Sequence, residues 1–316
     1  MKNELQRHRA AEDPLAGEDN RAVGPSRRKA LRLFAGLTGA ALGSRMVDAQ
    51  TPPAAPAPAA PPAPPAAPAA PLAGPRSAMS VKYNDPEILT ANLPFPGSDA
   101  LLMGYIARPL KAGTFPIVLV CHESRGLTRH IEDVTRRLAK AGYVGFAVDL
   151  LAREGGTNKH GPDAAAALLG KAPIARHVQD FQSALAWAKA QPFAKGDRAG
   201  MIGFSFGGGV TWRVAVATPE LKAAVPFYGL PVAAAEVPKI NAAVLAIYAG
   251  RDERINANIP AVETAMRAKA RVFRKIVYPD VDHAFYNDTG DAFSAGSAQA
   301  AWEESLGWFA RFLKDG

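Results

Sequence analysis

The chain has 316 residues, 48% of them hydrophobic and 21% charged, with a formal net charge of +8. Its one cysteine, Cys121, excludes an intramolecular disulfide, and no Cys/His cluster has metal-ligand spacing. The basic excess is not gathered into Lys/Arg runs interleaved with aromatics, so no nucleic-acid partner is expected.

Residues 1–29 are polar and end in Ser26-Arg27-Arg28-Lys29; residues 30–43 are mostly apolar. That stretch falls short of the roughly 20 apolar residues of a spanning helix. Val47-Asp48-Ala49 then places small residues where a signal peptidase reads. Residues 1–50 are expected to be an export signal, and Ser-Arg-Arg-x-x-Leu resembles the twin-arginine type. This implies export machinery as a partner, a periplasmic or secreted location, and no stable membrane span after cleavage. Residues 51–78 form a linker that is almost entirely Pro and Ala over 51–75. Such a composition cannot bury a core and favours extended polyproline II. The folded domain is expected over residues 79–316.

Within it, strand and helix patterns alternate. Residues 101–107 read as a strand, and 116–121 as a buried apolar strand. Residues 129–141 have helical spacing in Ile131, Val134 and Leu138, and Gly142 ends that helix. A strand over 143–150 and a helix over 173–190 follow. The strand over 199–202 leads into Gly203-Phe204-Ser205-Phe206-Gly207-Gly208-Gly209 and a helix over 210–218. Further strands are expected over 223–228, 243–248 and 272–278. Helices are expected over 259–270 and 297–313, the last with Ser297 as its N-cap. This alternation implies an α/β fold with a mostly parallel central sheet covered by helices on both faces. The connection after Tyr228 is too short for a large lid domain.

Gly203-Phe204-Ser205-Phe206-Gly207 fits Gly-x-Ser-x-Gly, a sharp strand-to-helix turn with a serine nucleophile at its apex. The glycines two before and two after the serine leave space that a Cβ would fill. The following helix offers its first N–H groups to an oxyanion. An α/β-hydrolase takes its partners in the order Ser, acid, His. Asp252 follows the 243–248 strand and His283 follows the 272–278 strand. Both belong at the carboxyl edge of the sheet, where such sheets place their active sites. His283 would take the Ser205 proton, and Asp252 would hold the imidazole. The backbone N–H groups of Phe206 and Ser124 are the expected oxyanion donors. Tyr228, Phe285 and Tyr286 are candidates to line the pocket.

The stretches His122-Glu123-Ser124-Arg125-Gly126-Leu127, Asp149-Leu150-Leu151-Ala152-Arg153, Gly203 to Gly208, Gly250-Arg251-Asp252 and His283-Ala284-Phe285 carry a resemblance. From about Tyr83 to Leu313 the chain resembles the dienelactone hydrolase family of α/β-hydrolases, and its leader is similar to that of an exported branch. The resemblance implies Ser205 as nucleophile, Asp252 as acid and His283 as base. It also implies Glu123 as a partner of the nucleophile and Arg153 as a holder of the substrate carboxylate. Two positions depart from the family pattern. Well-studied members use a cysteine nucleophile, where this chain has Ser205. A second carboxylate-binding arginine falls on Asn287, with Arg125 a candidate substitute. The implied activity is hydrolysis of a small ester or lactone without metal or organic cofactor. A thioesterase or acyltransferase could use the same three residues, and a non-catalytic binding protein could use the same scaffold.

Overall fold

The computed structural model describes residues 76–314; the expected export signal and nearly all of the expected linker lie outside the described residues. Nine-residue β1 (Ile88–Pro96) pairs with β2 (Leu101–Pro109) at the edge of the sheet. Then come β3 (Phe115–Cys121), α1 (Arg129–Lys140), β4 (Val144–Asp149), α2 (Pro162–Lys171) and α3 (Ile174–Lys189). β5 (Ala194–Phe204), α4 (Phe206–Ala217), β6 (Ala223–Phe227) and β7 (Ala243–Ala249) follow. The chain closes with α5 (Glu253–Asn256), α6 (Ile259–Ala268), β8 (Phe273–Tyr278) and α7 (Ala295–Phe309).

The eight strands form one sheet in the order β1-β2-β4-β3-β5-β6-β7-β8. β2 runs antiparallel to both of its neighbours, and every pair from β4 to β8 is parallel. This is the α/β-hydrolase arrangement expected of the sequence. β3, β4, β6 and β7 are buried at every residue, which is why they read as continuous apolar runs rather than alternating ones. Their side chains still alternate between two layers. Ile117 and Leu119 of β3 join one core with Phe181 of α3, Trp212 of α4 and Met266 of α6. Val118 and Val120 join the other with Ile131 and Leu138 of α1 and Trp302 and Phe309 of α7.

Three elements escape the sequence pattern. β1 holds Pro94 and Pro96 and alternates irregularly. An edge strand tolerates prolines because one side of its backbone has no ladder partner. β5 begins five residues before the apolar run, at Ala194, through polar residues that pair with the start of β3. α2 is a short, mostly exposed helix with only Ala165 and Leu169 buried. The expectation of Ser297 as an N-cap is corrected. α7 starts at Ala295, Ser294 stands before it, and neither serine caps the helix with its side chain; the Ser294 hydroxyl lies 3.2 Å from that of Ser297. The regular helix stops at Phe309 and widens into a π-turn over Ala310–Lys314. Among the described residues, no helix is long and apolar enough to cross a membrane.

Candidate active site

β5 and β6 end in register, Phe204 opposite Phe227, and β7 and β8 end in register, Ala249 opposite Tyr278. Ser205 and Tyr228 therefore leave the sheet side by side, and the chains carrying Asp252 and His283 do the same.

Ser205 sits at φ 54° and ψ −112°, a left-handed conformation that costs a non-glycine residue about 1–3 kcal/mol. Its neighbours hold it there. The Ser205 N–H donates to the Phe227 carbonyl at 3.0 Å, and the Gly209 N–H donates back to the Ser205 carbonyl at 3.1 Å. The flanking glycines are required sterically. A Cβ on Gly203 would lie 2.3 Å from the Gly207 carbonyl oxygen, and one on Gly207 would lie 2.5 Å from the carbonyl oxygens of Cys121 and His122. The first turn of α4 is thus pressed against the end of β3. Phe206, Gly207 and Gly208 open the helix, where backbone N–H groups have no intrahelical acceptor.

The Ser205 hydroxyl lies 2.7 Å from His283 Nε2, and His283 Nδ1 lies 2.5 Å from Asp252 Oδ2. Asp252 is nearly buried while His283 is one-third exposed, so the chain of contacts runs from the interior to an open surface. With Nδ1–H donated to the carboxylate, Nε2 is left as an acceptor for the serine proton. The Tyr228 ring packs against the His283 ring with centroids 4.9 Å apart. Burial, together with the neighbouring Glu123 carboxylate, pushes the Tyr228 phenol well above its ordinary pKa and keeps it neutral.

The segment behind His283 is anchored by buried charges. Asp288 accepts from His130 at 2.8 Å and from Arg137 at 2.5 Å, and Arg137 also binds Asp133. Burial alone would raise the Asp288 pKa; the His130 hydrogen bond and the Arg137 charge outweigh it and leave the pKa lowered.

The β3–α1 turn is fixed by His122. The Leu150 N–H donates to Nε2 at 3.2 Å, so Nδ1 carries the proton that reaches the Glu123 carbonyl at 2.6 Å. Burial lowers the His122 pKa against the raising effect of that backbone contact, consistent with a neutral ring. Ser124 follows, half-buried, in a turn closed by the Gly126 N–H on the Glu123 carbonyl at 3.2 Å.

A cleft of about 540 Å³ opens over Ser205 and His283. Phe206 and Tyr228 border it, together with the apolar side chains of Ile174, Val210, Leu230 and Ile255. Arg213, Glu236 and Arg254 supply its charge. Of these, Ser205, Phe206, Tyr228 and His283 are the ones the sequence points to. Arg254 stands two residues after Asp252, so its proximity was readable; Ile174, Arg213, Leu230 and Glu236 arrive from other elements and carried no local signal.

The remaining candidates stand elsewhere. Tyr286 does not line the cleft: it is fully buried, its ring stacked on Phe204 at 5.1 Å and its hydroxyl 3.3 Å from Arg137. Phe285 is likewise buried. Asn287 faces inward, where its amide donates to Glu123 Oε2 at 2.5 Å. Arg153 is engaged by two carboxylates, Asp180 at 2.7 Å and Asp99, and is not part of the cleft wall. Arg125 is exposed on the β3–α1 turn and does not border the cleft.

Known proteins agree with this architecture. A protein of Methylorubrum extorquens named "Putative carboxymethylenebutenolidase" is 34% identical over 238 residues, covering 71% of this chain and 82% of that protein. One of the same name from Escherichia coli (strain K12) is 33% identical over 256 residues, covering 76% and 93%. The crystal structure of a "Putative Dienelactone Hydrolase" from Klebsiella pneumoniae subsp. pneumoniae MGH 78578 superposes with a TM-score of 0.67 at 33% identity, covering 71% of this chain and 99% of that one. Residues 102–313 match the family described as Dienelactone hydrolase family, and the chain belongs to it.

Proposed function

We propose that the protein is a serine hydrolase of small esters or lactones, acting through Ser205, His283 and Asp252. Family membership supports a hydrolase, and the names of the relatives point to the ester or lactone kind. The observation that carries the finer reading is the continuous contact from Ser205 Oγ to His283 Nε2 to Asp252 Oδ2 at the floor of an open cleft.

The steps follow from the geometry. Ser205 Oγ attacks the substrate carbonyl carbon as its proton passes to His283 Nε2. Asp252 stabilises the resulting imidazolium and fixes its ring. The carbonyl oxygen becomes an oxyanion, for which the Phe206 N–H at the start of α4 and the Ser124 N–H are the proposed donors. Collapse breaks the ester C–O bond, and His283 returns the proton to the departing alkoxide. Water then gives its proton to His283, attacks the acyl-enzyme and frees Ser205. The apolar walls and the cleft volume suit a compact substrate.

The test is hydrolysis of a panel of short and long esters, lactones with and without a carboxylate, and thioesters, with Ser205→Ala beside the wild type. Loss of about 10⁵–10⁶ in kcat on a folded Ser205→Ala protein is expected, together with loss of fluorophosphonate labelling at Ser205. Unchanged turnover in that variant would remove Ser205 from the mechanism. Preference for thioesters, or transfer to an added alcohol in place of water, would shift the reading to a thioesterase or acyltransferase.

We also propose that residues 1–50 direct export. The support is the Ser-Arg-Arg motif, the short apolar stretch and the small residues around 47–49. Fractionation of cells making the full chain, with Arg27→Lys and Arg28→Lys together as control, tests it. Periplasmic protein that is retained in the cytoplasm by the double substitution is the expected result.

A further inference from the structure

We infer that Arg76 is a positioning residue for His283: with residues 77–81 it forms a strap that clamps the loop carrying the His283 imidazole. The inference rests on the hydrolase reading for the role of His283, and on the contacts of the strap for its site.

His283 stands in the run between β8 and α7, residues 279–294, which holds neither strand nor helix. The residue after it, Ala284, has φ 67°, a left-handed conformation that a non-glycine residue keeps only when its surroundings enforce it. The inner side of this loop is fixed by the burial of Phe285 and Tyr286 and by the Asp288 carboxylate between His130 and Arg137. Its backbone is a series of turns. The Asn287 N–H donates to the Ala284 carbonyl at 2.9 Å, and the Gly290 N–H donates to the Asn287 carbonyl at 3.1 Å. The backbone at His283 is thus placed by a short chain of turns whose far end is Gly290.

Arg76 holds that far end from outside. Its backbone N–H donates to the Asp288 carbonyl at 3.2 Å, and its Nε donates to the same oxygen at 3.1 Å. Its Nη2 donates to the Gly290 carbonyl, and its guanidinium stands 5.8 Å from the centre of the Phe293 ring. A single contact from an exposed arginine contributes little, because the long side chain must be ordered to make it. Here one ordered side chain reaches Asp288, Gly290 and Phe293, all in the histidine loop. Arg76 does not border the cleft, so it acts on turnover only through what it holds.

The strap is itself tied to α1. The Val81 N–H donates to Asp133 Oδ1 at 2.7 Å, and Arg136 Nε donates to the Val81 carbonyl at 2.7 Å. Asp133 Oδ2 also accepts from Arg137, which reaches the Asp288 carboxylate. The contacts therefore close a ring, from Val81 through Asp133, Arg137 and Asp288 back to Arg76. Within the strap, the Ser80 N–H donates to the Ser77 carbonyl and the Met79 N–H to Ser77 Oγ, each at 3.1 Å. Met79 and Val81 pack against the same apolar layer as Phe285 and Tyr286. The loop is gripped by α1 from within and by the strap from outside. Releasing the outer grip leaves His283 freer to move relative to Ser205 and Asp252, and a misplacement of about 1 Å can cost about a hundredfold in rate.

The test uses the full chain with Arg76→Met and Arg76→Lys, beside the wild type and Ser205→Ala. On the best ester of the panel, Arg76→Met should lower kcat by about tenfold to a hundredfold with KM within about twofold. Arg76→Lys, able to reach one of the two carbonyls, should recover part of the loss. Independently of turnover, amide hydrogen exchange over residues 279–294 should quicken in Arg76→Met and stay as in the wild type over β3 and α4. Faster exchange of the loop with unchanged kcat would make Arg76 a contact of stability alone and overturn the inference, as would unchanged exchange of the loop. Turnover that is lost in Ser205→Ala yet indifferent to Arg76→Met would leave the hydrolase reading in place without the strap. Loop exchange that depends on Arg76, in a protein whose turnover survives Ser205→Ala, would do the reverse.

Discussion

Asp252 Oδ1 accepts the backbone N–H of Ile255 at 3.2 Å while its other oxygen lies 2.5 Å from His283 Nδ1. The two oxygens do different work, and substitutions separate them. Asp252→Asn retains an oxygen able to cap the turn but can present an amide to His283, which disfavours the tautomer needed at Nε2. Its kcat is expected to fall by about 10⁴ with little change in melting temperature. Asp252→Ala loses the cap as well and should be less stable by about 1 kcal/mol, with a lower melting temperature. Steady-state kinetics paired with thermal unfolding of both variants checks this.

Gly207 is tested by adding one carbon. The Cβ of Gly207→Ala would meet two backbone oxygens of the β3 end at 2.5 Å, and backbone cannot rotate away. A loss of about 1–3 kcal/mol in stability is expected from overpacking. If α4 shifts away from β3, a drop of about 10²–10³ in kcat should accompany it as an oxyanion donor moves. Gly209→Ala is the contrast in the same helix. Its Cβ would meet the Leu230 carbonyl oxygen at an ordinary contact distance of 3.6 Å. Its melting temperature should rise, since alanine is favoured over glycine inside a helix by about 0.5–1 kcal/mol.

Acid stability should depend on Asp288. Its folded-state pKa is lowered although burial alone would raise it, because His130 and Arg137 favour the ionised form. A lowered carboxylate pKa means that the stability is fully present above the ordinary value near 4 and is lost as pH falls through the folded value. Asp288→Asn should flatten the fall in melting temperature between about pH 4 and pH 2.5. At neutral pH it should cost about 1–3 kcal/mol, since Arg137 keeps Asp133 and loses one of its two carboxylates. Melting curves across that pH range decide the matter.

Arg153→Met is expected to act on stability rather than on substrate charge. The substitution leaves Asp180 buried without its cation. Burial already raises the Asp180 pKa against the pull of Arg153. Removing Arg153 raises it further, and a raised carboxylate pKa destabilises the fold increasingly as pH rises above the unfolded value. The deficit in melting temperature should therefore widen from pH 4 to pH 8. The ratio of kcat/KM for carboxylated over neutral lactones should stay within about twofold of the wild type, the reach of a contact made in neither state. A collapse of that ratio would return Arg153 to the substrate.

Much of the molecule was readable without coordinates because the relevant physics is local. A strand buried on both faces is mostly apolar, so β3, β4, β6 and β7 showed themselves as short, nearly continuous apolar runs. A serine held at positive φ between crowded backbones demands glycine on either side, so the 203–207 segment was legible as a sharp strand-to-helix turn with Ser205 at its apex. The meeting of Asp252 and His283 beside Ser205 was legible because strands in a parallel sheet deliver their following residues to one edge. β1 was missed because its prolines contradict a strand everywhere except at an edge.

The order of strands and helices, the elbow around Ser205 and the placing of Asp252 and His283 after their strands were thus determined by the sequence itself, through spacing and burial pattern. Only the tertiary structure decided that Arg153 is bound by Asp180 and Asp99, that Tyr286 is a core residue beside Phe204, and that Asn287 turns inward to Glu123. It also decided that Arg254 borders the cleft with no carboxylate partner among the described residues, while Arg213 has one. The physical reason is that a side chain's charge is neutralised by whichever residue lies nearest in space. For Arg153 and Asp99 those residues are 54 positions apart in the chain, a separation that leaves no mark on local composition or periodicity.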